Sequence, residues 1–389
     1  MYDSDDPIST SASSACSVSR PSSSSSAPFT DSSKAPTAAG APSTRLFEIR
    51  ETPNAGRAVF AVQDILEGAV LWRSDDLTLS VLLREYRREV CGQCFSYDYG
   101  RDLPVRDQVV GFAFCSEKCR ETWMECNGHI GVEAWTAVET FVKKKSKEDS
   151  VMVRADPSRP SRKDIAHAWA GVEAQAEMIR AARQAERPKL EQCIEYGNVQ
   201  LTKQHRKAVS KALQQRISPD IMGFIVGGVV CRYNKPHDWE KVLALAEDKT
   251  PYHSADDLQA FTRSYLHLVA ILPLQLLPLV TVETIFLLSS RDSHNSFGIR
   301  SLEDEGSEFF GYGCWPASSY FNHSCVPNVE RTRRGRVWYF TATSHIKSGE
   351  ELNITYLGGE GRTLSRERRM QTLKETWGFE CACKGCEAL

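Results

Sequence analysis

Residues 321–328 read Phe321-Asn322-His323-Ser324-Cys325-Val326-Pro327-Asn328. This stretch sets two side chains able to hold a ligand by hydrogen bonds, Asn322 and His323, beside a thiol and a proline-restricted turn. Downstream, Gly349-Glu350-Glu351 makes a turn before Leu352-Asn353-Ile354-Thr355-Tyr356, which alternates like a strand. The chain closes with Cys381-Ala382-Cys383-Lys384-Gly385-Cys386. Three thiolates are one short of the four that structural zinc takes. Cys325 is the first candidate for the fourth ligand and Cys314 the second. With Cys325 as ligand, the metal ties the C-terminal segment to the Asn322-His323 loop. The tail then forms a wall of whatever site that loop lines.

The chain has 389 residues, enough for one large or two ordinary domains, and 41% hydrophobic content supports a sizeable core. A formal charge of −2 gives no general basic footprint for nucleic acid. Thirteen cysteines, an odd number grouped at C-x-C and C-x2-C spacings, point to zinc thiolates over disulfides and to a reducing compartment, nuclear or cytoplasmic. No charged-then-apolar leader opens the sequence. Leu266 to Leu288 is long and apolar enough to raise a membrane span, but Pro273, Gln275, Pro278 and Glu283 interrupt it. A buried helix pair broken at the prolines is expected, and no membrane role.

Residues 1–44 are rich in Ser, Ala and Pro and lack aliphatic periodicity, so this tail is expected to be disordered. Strands are expected at Leu46–Ile49, Ala58–Val62 and Ala69–Trp72, joined by glycine turns into a small meander. Cys91-x2-Cys94 and Cys115-x3-Cys119 supply a four-thiolate set that suits a closed, structural zinc site. From about 130 to 290 the apolar spacing is helical, with helices expected over 164–187, 206–217, 220–231, 236–247, 254–270 and 274–289. His129, His167, His205, His253 and His267 have no ligand spacing with one another and read as surface or core histidines. After Ser290 strands return, notably Val337–Ala342 and Leu352–Tyr356, before a helix over Thr363–Thr376 whose charged run Arg366 to Arg369 reads as a solvated face.

Asn-His-Ser-Cys-x-Pro-Asn, then Gly-Glu-Glu-Leu-x3-Tyr, then C-x-C-x2-C, in this order, resemble the SET-domain lysine methyltransferases. The cysteine module ahead of a helical insertion resembles their SET-and-MYND subgroup. The resemblance implies an α+β SET fold of small twisted sheets around a threaded C-terminal segment, a rare departure from unthreaded topology. It divides the chain into an N-terminal SET part (45–88), a MYND-like zinc module (89–128), a helical insertion (129–290), the core SET domain (291–358) and a zinc-binding post-SET segment (359–389). It implies an S-adenosylmethionine site at Gly56, Arg57, Asn295, Asn322, His323, Tyr356 and Phe379. Tyr356 stands at the position of the catalytic tyrosine, and Trp377 with Tyr356 at the lysine channel. Cys325 would share one zinc with Cys381, Cys383 and Cys386. Cys91, Cys94, Cys115 and Cys119 would hold the other, making two structural zincs per chain.

The chain departs from the family in two places. Ala58 stands where the second glycine of a Gly-x-Gly turn is usual, which puts close backbone approach to the cofactor in question. The cysteine module keeps two of the four ligand pairs of a complete MYND finger, with Cys126 and His129 out of register, so a single-zinc finger is expected. The resemblance implies a monomeric enzyme acting on a lysine of a protein substrate, with protein partners meeting the helical insertion. The competing expectation is a zinc-stapled SET-like scaffold for protein interaction. A nucleic-acid-binding role is not expected, because neither cysteine group has the C2H2 arrangement.

Overall fold

The computed structural model describes residues 38–53, 55–145, 159–185, 201–303, 306–358, 361 and 363–387. Most of the tail expected to be disordered, residues 1–37, and the end of the helix expected over 164–187 lie outside the described residues.

Strands β1 (Phe47–Thr52) and β2 (Gly56–Ala61) form the expected antiparallel hairpin, in register from Phe47↔Ala61 to Thr52↔Gly56. The third strand of the expected meander leaves it. β3 (Val70–Ser74) pairs with β10 (Val337–Ala342), which also pairs with β9 (Val329–Arg334). The pairing sets Trp72 opposite Phe340, whose ring is fully buried, so the aromatic row decides the partner. The open edge of β2 is taken instead by the two-residue strand β11 (Glu351–Leu352). A third sheet is ordered β4 (Leu79–Leu82), β8 (Phe309–Cys314), β7 (Ser296–Arg300). The hairpin of β5 (Val105–Asp107) and β6 (Phe112–Phe114) completes the cysteine module.

The strand expected over Leu352–Tyr356 stops after Leu352. Beyond it the backbone bonds turn to the loop of the opening stretch: Ile354 N–H donates to the Asn322 carbonyl (2.9 Å) and Ser324 N–H to the Ile354 carbonyl (2.8 Å). Asn353 N–H is taken by the Asn328 side-chain oxygen at 3.0 Å. Residues 353–356 therefore run alongside residues 322–324, parallel at the His323↔Ile354 bridge.

The insertion is helical as expected. α1 (Glu117–Lys143) starts at Ser116, whose hydroxyl accepts Cys119 N–H, and breaks at Gly128 (φ 65°, ψ 173°). α2 (Arg162–Gln184) opens on a capping box of Ser161 and Asp164. α3 (Lys203–Leu213), α4 (Pro219–Asn234), α5 (Pro236–Leu243) and α6 (Ala255–Ile271) follow. The helix expected over 274–289 is displaced. Pro273 and Pro278 confine 274–276 to a single 3₁₀ turn, and α7 (Val282–Asn295) begins only where the Thr281 hydroxyl caps it. Displacement carries α7 onward to Asn295, so the insertion ends in a residue of the candidate site. Among the described residues no helix is long and apolar enough to cross a membrane. After the core, α8 (Arg366–Trp377) ends on left-handed Gly378, and α9 (Lys384–Glu387) closes the described chain.

Gly311 shows how tightly the β4–β8 pair is built. Its φ is +149°, and a Cβ there would lie 2.0 Å from the Val81 carbonyl oxygen. Replacing Gly311 with Ala is expected to destabilise the protein by about 2–4 kcal/mol through that backbone clash, read as a lower midpoint in urea denaturation. An unchanged midpoint would contradict this packing.

Candidate active site

The Asn322-His323 loop is anchored by the residue before it. Phe321 is fully buried, its ring stacked on Phe340 at 4.5 Å and edge-on to Phe47 at 5.9 Å. With Phe321 held inward, Asn322 and His323 line a cleft of about 1210 Å³, larger than the ~300–1,000 Å³ of ordinary small-molecule sites. The Asn322 amide donates to the Arg57 carbonyl at 3.1 Å and to Glu351 Oε1 at 3.2 Å. It thereby joins the N-terminal hairpin to β11.

His323 sets the position of Tyr356. Its Nδ1 accepts Tyr356 N–H at 3.0 Å, and its Nε2 lies 3.4 Å from Cys325 Sγ. These partners define the neutral tautomer, with the proton on Nε2 and pointing at sulfur. Burial pushes the imidazole pKa down to about 4, and the Arg331 and Arg369 guanidiniums add to the effect. The Tyr356 hydroxyl donates to the Phe321 carbonyl at 3.1 Å. Burial pushes its pKa up to about 12, so at neutral pH it is a hydrogen-bonding phenol and not a base.

At the N-terminal side of the cleft, Gly56 has φ +66° and open space where a Cβ would stand. Ala58, the departure from the glycine pattern, is fully buried and does not line the cleft. Outside the cleft lining, it does not obstruct a ligand. Arg57 contributes main chain only: its guanidinium donates to Tyr320 Oη (2.8 Å) and the Ala244 carbonyl (2.6 Å) and lies over the Tyr320 ring. Asn295 lines the cleft at 6% exposure, with its amide hydrogens donated to the Ala246 and Arg291 carbonyls at 2.9 and 2.7 Å. Its side-chain oxygen is what remains for a ligand.

The tail supplies the opposite wall. The Tyr356 ring lies 5.5 Å from Trp377 and 6.3 Å from Phe379, and Phe379 is 6.1 Å from His323. Beneath them the sulfurs of Cys325, Cys381, Cys383 and Cys386 all lie within 4.8 Å of one another. Cys325 Sγ is 4.0 Å from Cys381 Sγ and 3.6 Å from Cys386 Sγ. A tetrahedron with zinc–sulfur bonds of ~2.3 Å has sulfur–sulfur edges of about 3.8 Å, whereas a disulfide needs ~2.0 Å. The donor set thus fits zinc, and Cys314, buried in β8, is not part of it. Cys91, Cys94, Cys115 and Cys119 form the second set, with Cys94–Cys115 at 3.6 Å and Cys115–Cys119 at 3.5 Å. Cys126 is exposed and outside it, in line with a single-site finger.

Several contributors escaped the sequence reading. Arg366 and Arg369 are not a solvated face. Arg366 Nε donates to the Cys386 carbonyl at 2.9 Å, and the Arg369 guanidinium sits at the sulfurs of Cys325 and Cys386. Both place positive charge beside a thiolate cluster. Arg159 donates to the Glu375 carbonyl at 2.9 Å and lies 3.7 Å from Asp248, whose carboxylate is 3.3 Å from His294 Nε2. This cluster links the helical insertion to the helix carrying Trp377. Arginines are common on helices, and nothing in their spacing singles these out. Of the histidines, His267 is fully buried against Phe141, and burial lowers its pKa to about 4.

His323 gives a test of the site's electrostatics. Its folded pKa lies below the ordinary ~6.5, so between those values the unfolded chain binds more protons. The neutral ring therefore contributes stability that is fully present above about pH 6.5 and lost as pH falls toward 4. An NMR titration should find the His323 ring neutral at pH 6; a midpoint near 6.5 would contradict the hydrogen bonds described here.

The SET domain family matches residues 56–357. The chain is similar to the potential protein lysine methyltransferase SET6 of Saccharomyces cerevisiae, with 24% identity over 88% of this chain and 95% of that protein. It is 37% identical to the protein-lysine N-trimethyltransferase SMYD5 of Gallus gallus over 23% of this chain and 22% of that protein. It is 30% identical to the histone-lysine N-methyltransferase ASHR2 of Arabidopsis thaliana over 39% of this chain and 41% of that protein. The match thus spans well under half of the latter two relatives and nearly all of the first. With the family's domain matching most of the sequence and the ordered motifs gathered around one cleft, this chain belongs to the SET domain family.

Proposed function

We propose that the cleft transfers a methyl group from S-adenosylmethionine to the side-chain amine of a lysine in a protein substrate. The observation that carries this reading is the convergence of Asn322, His323 and Tyr356 with Trp377 and Phe379 on one cleft. S-adenosylmethionine supplies a methyl bound to positively charged sulfur. Gly56, Asn295, Asn322 and His323 would hold it, and the aromatic rings of Phe379 and Trp377 would offer flat walls to the cofactor and the lysine respectively.

The reaction is an in-line displacement. The lysine nitrogen lone pair forms the new N–C bond, the C–S pair leaves with sulfur, and a proton is later lost from nitrogen to solvent. The ammonium must shed a proton before attack. The aromatic walls of Tyr356 and Trp377 help by excluding water, which disfavours the charged amine. Alignment of nitrogen with the methyl contributes on the order of several kcal/mol, as orientation does in general. The Tyr356 phenol, held by His323 at its backbone and by Phe321 at its hydroxyl, orients the amine and does not take its proton. The Phe321 carbonyl, which accepts the Tyr356 hydroxyl, would be an acceptor for weak C–H···O contact with a polarised methyl bound beside Tyr356.

The two cysteine sets each suit one structural zinc, with no ligand position left for water. Of the two features that favour a scaffold role, Ala58 is buried and outside the cleft lining, so it does not count against a ligand, and the reduced finger stands.

Replacing Tyr356 with Phe is expected to lower methyl transfer by about 100-fold or more, a loss of roughly 3 kcal/mol of transition-state stabilisation. S-adenosylmethionine affinity should stay within a few-fold of the native protein. Mass spectrometry of core histones and other lysine-bearing proteins incubated with each form reads the first quantity, and calorimetry the second. Full activity of the variant would overturn the role of Tyr356.

A further inference from the structure

The sulfur cluster grips the tail beyond Phe379, from Cys381 onward. The last turn of α8, on the other side of the aromatic pair, has a fastening of its own. A helix leaves its final carbonyls without partners inside it. In α8 the Gly378 N–H closes on the Lys374 carbonyl at 3.0 Å. The next carbonyl, that of Glu375, receives Nη2 of Arg159 at 2.9 Å. A guanidinium there also meets the negative end of the helix dipole. Gly378 stands between Trp377 and Phe379, and a Cβ on it would lie 3.9 Å from Cε1 and Nε2 of the His294 ring.

Arg159 and His294 meet at one carboxylate oxygen. Asp248 Oδ2 is 3.7 Å from Arg159 Nη1 and 3.3 Å from His294 Nε2, and it accepts the Ser293 hydroxyl at 2.8 Å. Asp248 Oδ1 accepts Thr250 N–H at 2.8 Å, and the Asp248 N–H donates to the Ser290 carbonyl at 2.7 Å. The carboxylate is thereby fixed to the end of α7, which carries Asn295 into the cleft. An exposed ion pair would contribute little, but Asp248 is buried, at 6% exposure. The contacts make one path, from the Glu375 carbonyl through Arg159, Asp248 and His294 to Gly378. It begins and ends on the tail and passes through the helical insertion. Neither Arg159 nor Asp248 lines the cleft.

We infer that Arg159 and Asp248 are positioning residues for methyl transfer: they latch the last turn of α8 to the insertion and so set where Trp377 and Phe379 stand. The inference rests on the reading of those two rings as walls of the lysine channel and the cofactor pocket. Neither residue touches a reacting group. The aromatic pair lies between two anchors, the latch at residues 375–378 and the sulfurs from Cys381 onward. A short segment held at one end only can swing; held at both, its side chains keep the geometry that alignment requires.

The full, zinc-loaded chain is compared with its Arg159→Gln variant, a change at a side chain that is 24% exposed. Zinc should stay at two per chain. Amides of residues 366–379 should exchange with deuterium ~10-fold faster, with native rates kept in α6. S-adenosylmethionine affinity, read by calorimetry, should fall ~5-fold or more as the wall loses its place. Asp248→Asn should give the same two changes. The double variant should lose no more than the worse single one, because both changes break one path. Native affinity and native exchange in Arg159→Gln overturn the inference, as do losses that add in the double variant. A third variant decides the matter should these two fail to fold. In Cys381→Ser the amides of residues 374–378 should keep their protection while those of 381–387 lose it; loss of both together overturns the inference. Failure of the native protein to bind S-adenosylmethionine would instead overturn the cofactor site, and the exchange rates alone would then decide the latch.

Discussion

Four sulfurs hold this site together. Cys325 belongs to the loop that carries Asn322 and His323, while Cys381, Cys383 and Cys386 lie in the last turns of the described chain. Their mutual approach brings Trp377 and Phe379 onto Tyr356 and His323. Apart from this cluster the tail has a small core of its own, around Leu357 and Leu373. Such a core buries little apolar surface, and a short segment gains little from it against chain entropy. Structural zinc contributes folding free energy directly, and a four-thiolate set is the means by which a short segment can become a rigid wall. Arg366 and Arg369 supply positive charge to a cluster whose four thiolates would otherwise leave an excess of negative charge over a divalent metal.

A second constraint passes from this staple into the chemistry. His323 stands between the sulfur of Cys325 and the backbone N–H of Tyr356. A neutral ring with its proton toward sulfur can satisfy both neighbours; a charged ring has no acceptor left for Tyr356. The thiolate set, the imidazole and the phenol thus form one chain of contacts, through which a metal held by the four sulfurs would act on the site by geometry alone. From the other side Phe321, pinned by Phe340 and Phe47, presents its carbonyl to the Tyr356 hydroxyl. Tyr356 is held at both ends, by backbone and by hydroxyl, as a residue that must align a nucleophile needs to be.

Much of this was legible in the sequence because it depends on short-range spacing. C-x-C-x2-C next to a distant Asn-His-Ser-Cys leaves few ways to complete a tetrahedron, and the structure takes the first of them. Helices of the insertion announce themselves by apolar period and by caps such as Ser161 with Asp164. What the sequence did not reveal depends on partners far apart in the chain. β3 leaves its neighbours for β10 because Trp72 meets Phe340, a pairing across more than 260 residues. The segment 353–356 gives up strand pairing because its bonds go to Asn322, His323 and Asn328. Ala58 read as an obstacle because a turn glycine and a core alanine look alike in one dimension; only the register of β2 decides which way the methyl points. The arginines at 159, 366 and 369 were illegible for the same reason, since a cation's role is set by what surrounds it.

The central claim is that the thiolate staple assembles the cofactor site, and it is tested most directly by replacing Cys381 with Ser. Zinc per chain and S-adenosylmethionine affinity would be measured together on the native and variant proteins. The account predicts that zinc falls from two to one per chain and that affinity falls with it by tenfold or more, about 1.4 kcal/mol, while the fold of the remaining domain persists. Loss of one zinc with unchanged cofactor affinity would contradict it.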